Sequence, residues 1–208
     1  MLQGPISRIA LAVSAAALLA MNAAAASTTW QIDPQHSTAQ FAVRHLGISS
    51  VRGEFHRVNG TILVDDKDIT MSTVEVTIDA TTVDTREPDR DKHLKSPDFF
   101  DVAKHPTITF KSTKVEQTAP GKLKVTGELT IRGVTKSVVL DVEGPTAAIK
   151  DPWGNQRAAA TGTTKINRQE FGVKWNAAMD NGGVVVSDTV SITVDVELIH
   201  KAPGGSGN

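Results

Sequence analysis

Most of this chain alternates apolar and polar residues with a period of two. Between His36 and His45, Ala39, Phe41, Val43 and His45 face one way and Gln40, Ala42 and Arg44 the other. Within Ser72–Val83, Val74, Val76, Ile78 and Ala80 oppose Thr73, Glu75, Thr77 and Asp79. Lys122–Ile131 puts Leu123, Val125, Leu129 and Ile131 on one face, and Val134–Glu143 does the same with Val138, Leu140 and Val142. Val184–Ile199 repeats the pattern with Val190, Ile192, Val194, Val196 and Leu198. Successive side chains of a strand point to opposite faces, so each stretch is a strand with one buried and one solvated side. Less regular strands are expected at Ser27–Asp33, Ser49–Val64, Thr107–Thr118 and Arg157–Asn167, about eight or nine in all. Asn59-Gly60 is a turn or bulge signal inside one of them.

Parallel sheets need a crossover between neighbours, usually a helix, and this chain has room for one good helix. The sheet is therefore antiparallel, as a sandwich or a closed barrel. Several strands approach 10 residues, roughly 30 Å, and closure removes edges that would otherwise need protection. The expectation is an all-β fold with one short helical insert: an eight-stranded antiparallel β-barrel. Its inward set is mainly Val, Ile, Ala and Thr, in a chain with 6 Phe, 3 Trp and no Tyr. That leans towards an elongated apolar cavity, although an eight-stranded barrel can equally be filled by its own side chains.

The departure from alternation is Arg86–Phe110. Pro88 suits a first helical turn, where its missing N–H costs nothing. Glu87, Asp89 and Asp91 come early and Lys92, His93 and Lys95 late, matching the helix dipole. Pro97 stops the helix, and Asp98-Phe99-Phe100-Asp101 places two adjacent aromatics in a turn. A short charged helix followed by aromatics can roof a sheet structure.

Met1–Ala26 reads as a cleaved secretory signal peptide. It has one basic residue, Arg8, an apolar run from Ile9 to Ala20, and an Ala24-Ala25-Ala26 end that fits the cleavage pattern. The apolar run is about 12 residues, whereas a spanning helix needs about 20. The folded domain is then residues 27–201, and residues 202–208 form a disordered tail. Export places the mature protein, soluble, in the periplasm. The chain has no cysteine, which removes disulfides, thiolate catalysis and cysteine metal sites. With 22 basic against 23 acidic residues, nothing in the charge favours nucleic acid.

Tests for chemistry return little. None of the six histidines forms H-x-H or H-E-x-x-H, and there is no G-x-S-x-G elbow, S-x-x-K pair or phosphate loop. Strand parity lets His45 point inward and puts His36 at a strand entrance, so a two-histidine metal or small-ligand site in a stress protein is the alternative reading. The residues otherwise point to binding rather than to a reaction. Arg86, Arg90, Lys92, His93 and Lys95 form a basic set that could meet an anionic headgroup, or an ordinary solvated helix face.

One run carries a resemblance: T-R-x-x-x-R-D-K-H-L-K-S-x-D-F-F-D-V over Thr85–Val102, followed by His105-Pro106. Ile32-Asp33, His36, His45-Leu46-Gly47, Gly53-x-Phe55 and Asn59-Gly60-Thr61 precede it in order. Gly127-x-Leu129-Thr130, Gly133-Val134-Thr135-Lys136, Asp151-Pro152-Trp153-Gly154 with Arg157, and Arg168-x-x-Phe171-Gly172 follow it. The set resembles the YceI-type periplasmic polyisoprenoid-binding proteins over nearly all of the mature chain. The resemblance implies a lipocalin-like barrel holding a polyisoprenoid or isoprenoid quinone, as a carrier or store that needs no cofactor and is not an enzyme. It implies an apolar tunnel lined by Phe41, Val43, Phe55, Val76 and Ile78, by Leu94, Phe99 and Phe100 of the insert, and by Ile108 and Phe110. Leu129, Ile131, Val138, Leu140 and Phe171 complete that tunnel. His36, His45, Arg86, Arg90 and His93 become candidates for the headgroup at the mouth. Partners on this reading are the isoprenoid lipid itself and, transiently, inner-membrane lipid or quinone proteins, with the carrier a monomer or homodimer.

Overall fold

The computed structural model describes residues 27–180 and 182–201; the signal peptide and tail expected at 1–26 and 202–208 lie outside the described residues. The chain opens with β1 (Ser27–Ile32) and β2 (Thr38–His45), then β3 (Ser49–Phe55) and β4 (Val58–Asp65), then β5 (Thr73–Asp79) and the short β6 (Val83–Asp84). Helix α1 (Pro88–Lys95) follows. Next come β7 (Thr107–Ala119), β8 (Lys122–Ile131), β9 (Val134–Glu143), the two-residue β10 (Ile149–Lys150), β11 (Gln156–Asn167) and β12 (Val186–His200).

Eleven of these twelve pieces make eight barrel staves, and β10 pairs with the start of β11. β12 pairs antiparallel with β2 through Val194↔Ala39 and then with β1 through Leu198↔Ile32, so β1 and β2 run the same way along one neighbour. β4 pairs with β1 and β3 with β2, so they too form one broken stave, and β5 with β6 a third. The remaining staves are β7, β8, β9, β11 and β12, and the β11–β12 and β12–β1 ladders close the ring. Every pairing is antiparallel, so the barrel expected from the alternation is the one found. Ser49–Val64 was expected as one strand; it is one stave broken at His56-Arg57, where Arg57 turns to a φ of 59°. The breaks at Asp33–Ser37, His56-Arg57 and Ala80–Thr82 lie on three adjacent staves and bend the wall there. Thr82 Oγ1 donates to the His56 carbonyl at 2.7 Å and holds two of the breaks together. Gly60, expected at a turn or bulge, sits inside β4, where a Cβ would meet the tip of Ile32 at 2.9 Å; it allows a close approach and reverses nothing.

The polarity of the wall decides where the core can sit. Outside, Lys111–Glu75 and Lys124–Asp141 pair across neighbouring strands at 2.7 Å each. Inside, Ile78, Ile108, Phe110, Val125 and Leu129 are buried. An apolar lining behind a charged outer face is the reverse of a membrane-spanning barrel, whose apolar band faces lipid.

Candidate ligand-binding bore

The inward positions enclose an apolar cavity of about 250 Å3. It is long and slender: the lining runs along β12 from Val186 to Leu198, about 40 Å of strand at ~3.3 Å per residue. All fifteen apolar positions singled out for the tunnel lie on its wall: Phe41, Val43, Phe55, Val76 and Ile78, then Leu94, Phe99, Phe100, Ile108 and Phe110, then Leu129, Ile131, Val138, Leu140 and Phe171. The sequence reading left out the β11–β12 side, where Ala160, Gly162, Val194 and Val196 also line the cavity. The signal was present in the alternation of β12; what hid it was β11, whose Ala, Gly and Thr do not announce an apolar face.

The insert roofs one end. Glu87 caps α1 by accepting from the Arg90 N–H at 3.0 Å, with Pro88 in the first turn and Lys92, His93 and Lys95 in the last. The helix contributes Leu94 to the bore, and the turn after it contributes Phe99 and Phe100. Phe100 meets Phe55 edge-on at 5.4 Å, and Phe55 lies 5.7 Å from Phe41. His93 stands edge-on to both Phe99 and Trp175 at 5.0 Å. These are two sets of ring contacts, tilted or edge-to-face, at separations that aromatic pairs favour. At the other end, Ile69 of the β4–β5 connection and Pro145 after β9 reach the wall.

Three polar side chains line the bore, Ser72, Thr164 and Arg168; Gln40 also borders it, but its side chain is exposed and donates to Thr38 Oγ1 on the outer face. Ser72 Oγ accepts from the Asp65 N–H at 3.0 Å. Arg168, only 5% exposed, donates to the carbonyls of Ser187, Val173, Trp175 and Val186. Burial pushes its guanidinium below the ordinary arginine range, and Asp188 opposes that. These two hold loops together, as buried polar groups must be satisfied.

The five headgroup candidates do not form one mouth. Arg90 is used by the fold: its Nε donates to Thr85 Oγ1 at 2.8 Å and its Nη2 to the Thr85 carbonyl at 2.9 Å, pinning α1 to the wall. His93 is bonded to Asp98 at 2.8 Å beneath its aromatic neighbours. Arg86, at a φ of 62°, lines an outer groove with Arg57, Lys92 and Lys95 that shares no lining residue with the bore. His45 ends the β2–β3 hairpin opposite Ser49. His36 sits on the other side of β2, in the β1–β2 break, bonded to Asp33 at 3.0 Å. The shared site proposed for His36 and His45 is therefore not assembled. The length of β2 separates them, more than about 20 Å.

His36 does belong to a cluster with Asp33 and Glu197, whose ligand atoms lie within 4.8 Å of one another. Its centre is taken by Arg157. The guanidinium donates to Asp33 at 2.9 Å, to Asp151 at 2.8 Å and to Glu197. Burial alone would favour the neutral acid at Asp151, but bonds from Arg157, Asn155 and the Trp153 N–H hold its carboxyl down to about 2. Asp33 is lowered too, against its burial, by His36 and Arg157. A fixed cation already satisfies these carboxylates, and the knot ties the β1–β2 break to β12 and to the loop before β11.

Comparison with known proteins places this geometry. The model of the YceI-like domain matches residues 30–198. A UPF0312 protein of Vibrio cholerae is 38% identical over 193 residues, covering 92% of this chain and 97% of that protein. The crystal structure of a Campylobacter jejuni YCEI protein is 32% identical, with a TM-score of 0.64, covering 76% of this chain and 90% of that one. A polyisoprenoid binding domain from Saccharophagus degradans, implicated in plant cell wall breakdown, shares the fold at a TM-score of 0.59 and 16% identity, covering 84% of this chain and 98% of that one.

Proposed function

This chain belongs to the YceI-like domain family, and from that premise we propose that it is a non-catalytic carrier or store of isoprenoid lipid. The ligand on this reading is of the polyprenyl diphosphate or isoprenoid quinone kind, with its chain in the bore. The protein works in the periplasm after export, as the Met1–Ala26 pattern suggests. One observation carries the reading: a continuous bore, slender, about 250 Å3 in volume and walled almost wholly by Val, Ile, Leu, Phe and Ala side chains. Such a wall offers water few partners. A branched hydrocarbon gains about 0.8 kcal/mol for each carbon it buries, so each five-carbon unit is worth roughly 4 kcal/mol before the cost of ordering the chain. The name of the Saccharophagus degradans domain is consistent with this chemistry. Ser72 and Arg168 on the wall serve the loops around them, and the charged knot at Arg157 ties the wall together, which favours binding over a reaction.

The test is native mass spectrometry of protein purified from its own periplasm, followed by organic extraction. A bound species whose fragments are spaced by isoprene units is the expected result. A clean apo mass, with no uptake of polyprenyl compounds on incubation, would overturn the carrier reading and leave the fold standing.

A further inference from the structure

The barrel is closed unevenly. β8 and β9 pair along the whole of β9, from Val134 to Glu143, and β11 and β12 pair along the whole of β11. Between β9 and β11 the ladder is three pairs long: Glu143↔Thr161, Val142↔Gly162 and Asp141↔Thr163. Below these the seam is sealed, with the Thr146 N–H donating to the Ala159 carbonyl at 2.9 Å and Ile149 pairing with Arg157. Above them no ladder joins Val134–Leu140 to Thr164–Asn167. The seam is joined again at its top, where the Arg168–Phe171 turn packs against β9 and Arg132 Nη1 donates to the Gly172 carbonyl at 2.7 Å. The result is a window in the side wall, spanning residues 135–140 of β9, about 20 Å of strand.

The edges of the window are edges of the bore. Val138 and Leu140 on one side and Thr164 and Ile166 on the other all line the cavity. Both ends of the barrel, by contrast, contribute loop residues to the wall: Leu94, Phe99 and Phe100 at one, Ile69 and Pro145 at the other. Two lysines border the window, Lys165 on the outward face of β11 and Lys136 on β9. Lys136 shares the strand face of Val138 and Leu140, stands opposite Leu129 in the β8–β9 ladder, and is exposed. It has no ion pair or side-chain hydrogen bond among the described residues. A lysine on an open strand edge also serves to repel other strands.

We propose that the window between β9 and β11 is the door through which an isoprenoid chain enters and leaves the bore, and that Lys136 meets an anionic headgroup left at its sill. This rests on the carrier reading and deepens it. A chain drawn through a side window is desolvated unit by unit along its length. Its charged end stays in water beside the Lys136 ammonium, where a diphosphate keeps its hydration.

The cysteine-free chain makes the test clean. Val139→Cys with Lys165→Cys, joined by a flexible bismaleimide, bars the window from outside; Glu116→Cys with Lys124→Cys, on the fully laddered β7–β8 seam, is the control. Release of radiolabelled geranylgeraniol from loaded protein to acceptor vesicles is timed before and after coupling. Coupling across the window should slow release at least tenfold, and coupling across the control should not. Equal rates in the two coupled proteins overturn the door. Separately, Lys136→Glu should weaken geranylgeranyl diphosphate tenfold or more while leaving geranylgeraniol unchanged, and Lys136→Arg should restore the diphosphate. An equal loss for both probes, or none for either, overturns the headgroup role. If the unmodified protein takes up neither probe, the carrier reading fails first and the door with it.

Discussion

Two glycines at inward strand positions do opposite things. Gly127 on β8 lies under the Phe110 ring, where a Cβ would come within 2.6 Å of a ring carbon and 2.6 Å of the Lys111 carbonyl. Gly162 on β11 lines the bore, and a Cβ there would meet the Val142 side chain at an ordinary 3.7 Å. The first lets a large side chain fold down and fill the barrel; the second leaves room beside it. The walls around them differ in the same way. Along β7 and β8, Ile108, Phe110, Val115, Leu123, Val125 and Leu129 are all below 10% exposed. Along β12, Val190, Ile192, Val194 and Val196 remain half-buried although they face inward. One barrel thus has a solid side that supplies stability and a hollow side that supplies the cavity. The small residues of β11 are what separate the two.

That division can be broken from either side. Phe110→Ala should be the most costly change, about 3–5 kcal/mol in urea unfolding, because it removes a buried ring from the solid wall and leaves a void. Gly127→Ala should cost about 1–3 kcal/mol by forcing that ring off its seat. Gly162→Ala should instead be neutral or gain about 0.5–1 kcal/mol, since it removes a flexible residue from mid-strand without a clash. Gly162→Leu sharpens the point: the melting temperature should hold while uptake of a C20 prenol is lost. If Gly127→Ala and Gly162→Ala destabilise equally, the two walls are not different.

The Arg157 knot gives a pH signature. Asp33 and Asp151 are both held below their ordinary values, Asp151 to about 2. Groups lowered in the folded state contribute stability that is complete above their unfolded value, about 3.9. That contribution is lost as pH falls through the folded value. Thermal melts should therefore be flat in this respect above about pH 4 and decline towards pH 2. Arg157→Met removes the bonds that lower both carboxyls, so the variant should be less stable at neutral pH and should lose less stability between about pH 4 and about pH 2 than the parent does. The smallest effect belongs to the outer face: Lys124→Ala breaks an exposed ion pair with Asp141 and should change stability by about 0–1 kcal/mol.

Much of this was legible in the residues. Phe41, Val76, Phe110 and Leu140 could be assigned to one interior because strand alternation is local and survives any register. The roof was legible because Pro88, the charge order of α1 and the Phe99-Phe100 pair are local signals too. The grouping of His36 with His45 failed because parity reports a face and not a height along the strand. That Arg90 is taken up by the fold could not be read locally, since nothing in the residues shows that Thr85 turns both its hydroxyl and its carbonyl towards it.

By itself, the sequence determined an antiparallel barrel with an apolar inside, a charged outside and a helical lid, because period and composition act over a few residues. Only the tertiary structure decided which wall is hollow, that Arg157 binds three carboxylates brought from distant segments, and that the β9–β11 ladder stops after three pairs. Each of these depends on which strands become neighbours and how far their registers run, and closure of the ring sets both.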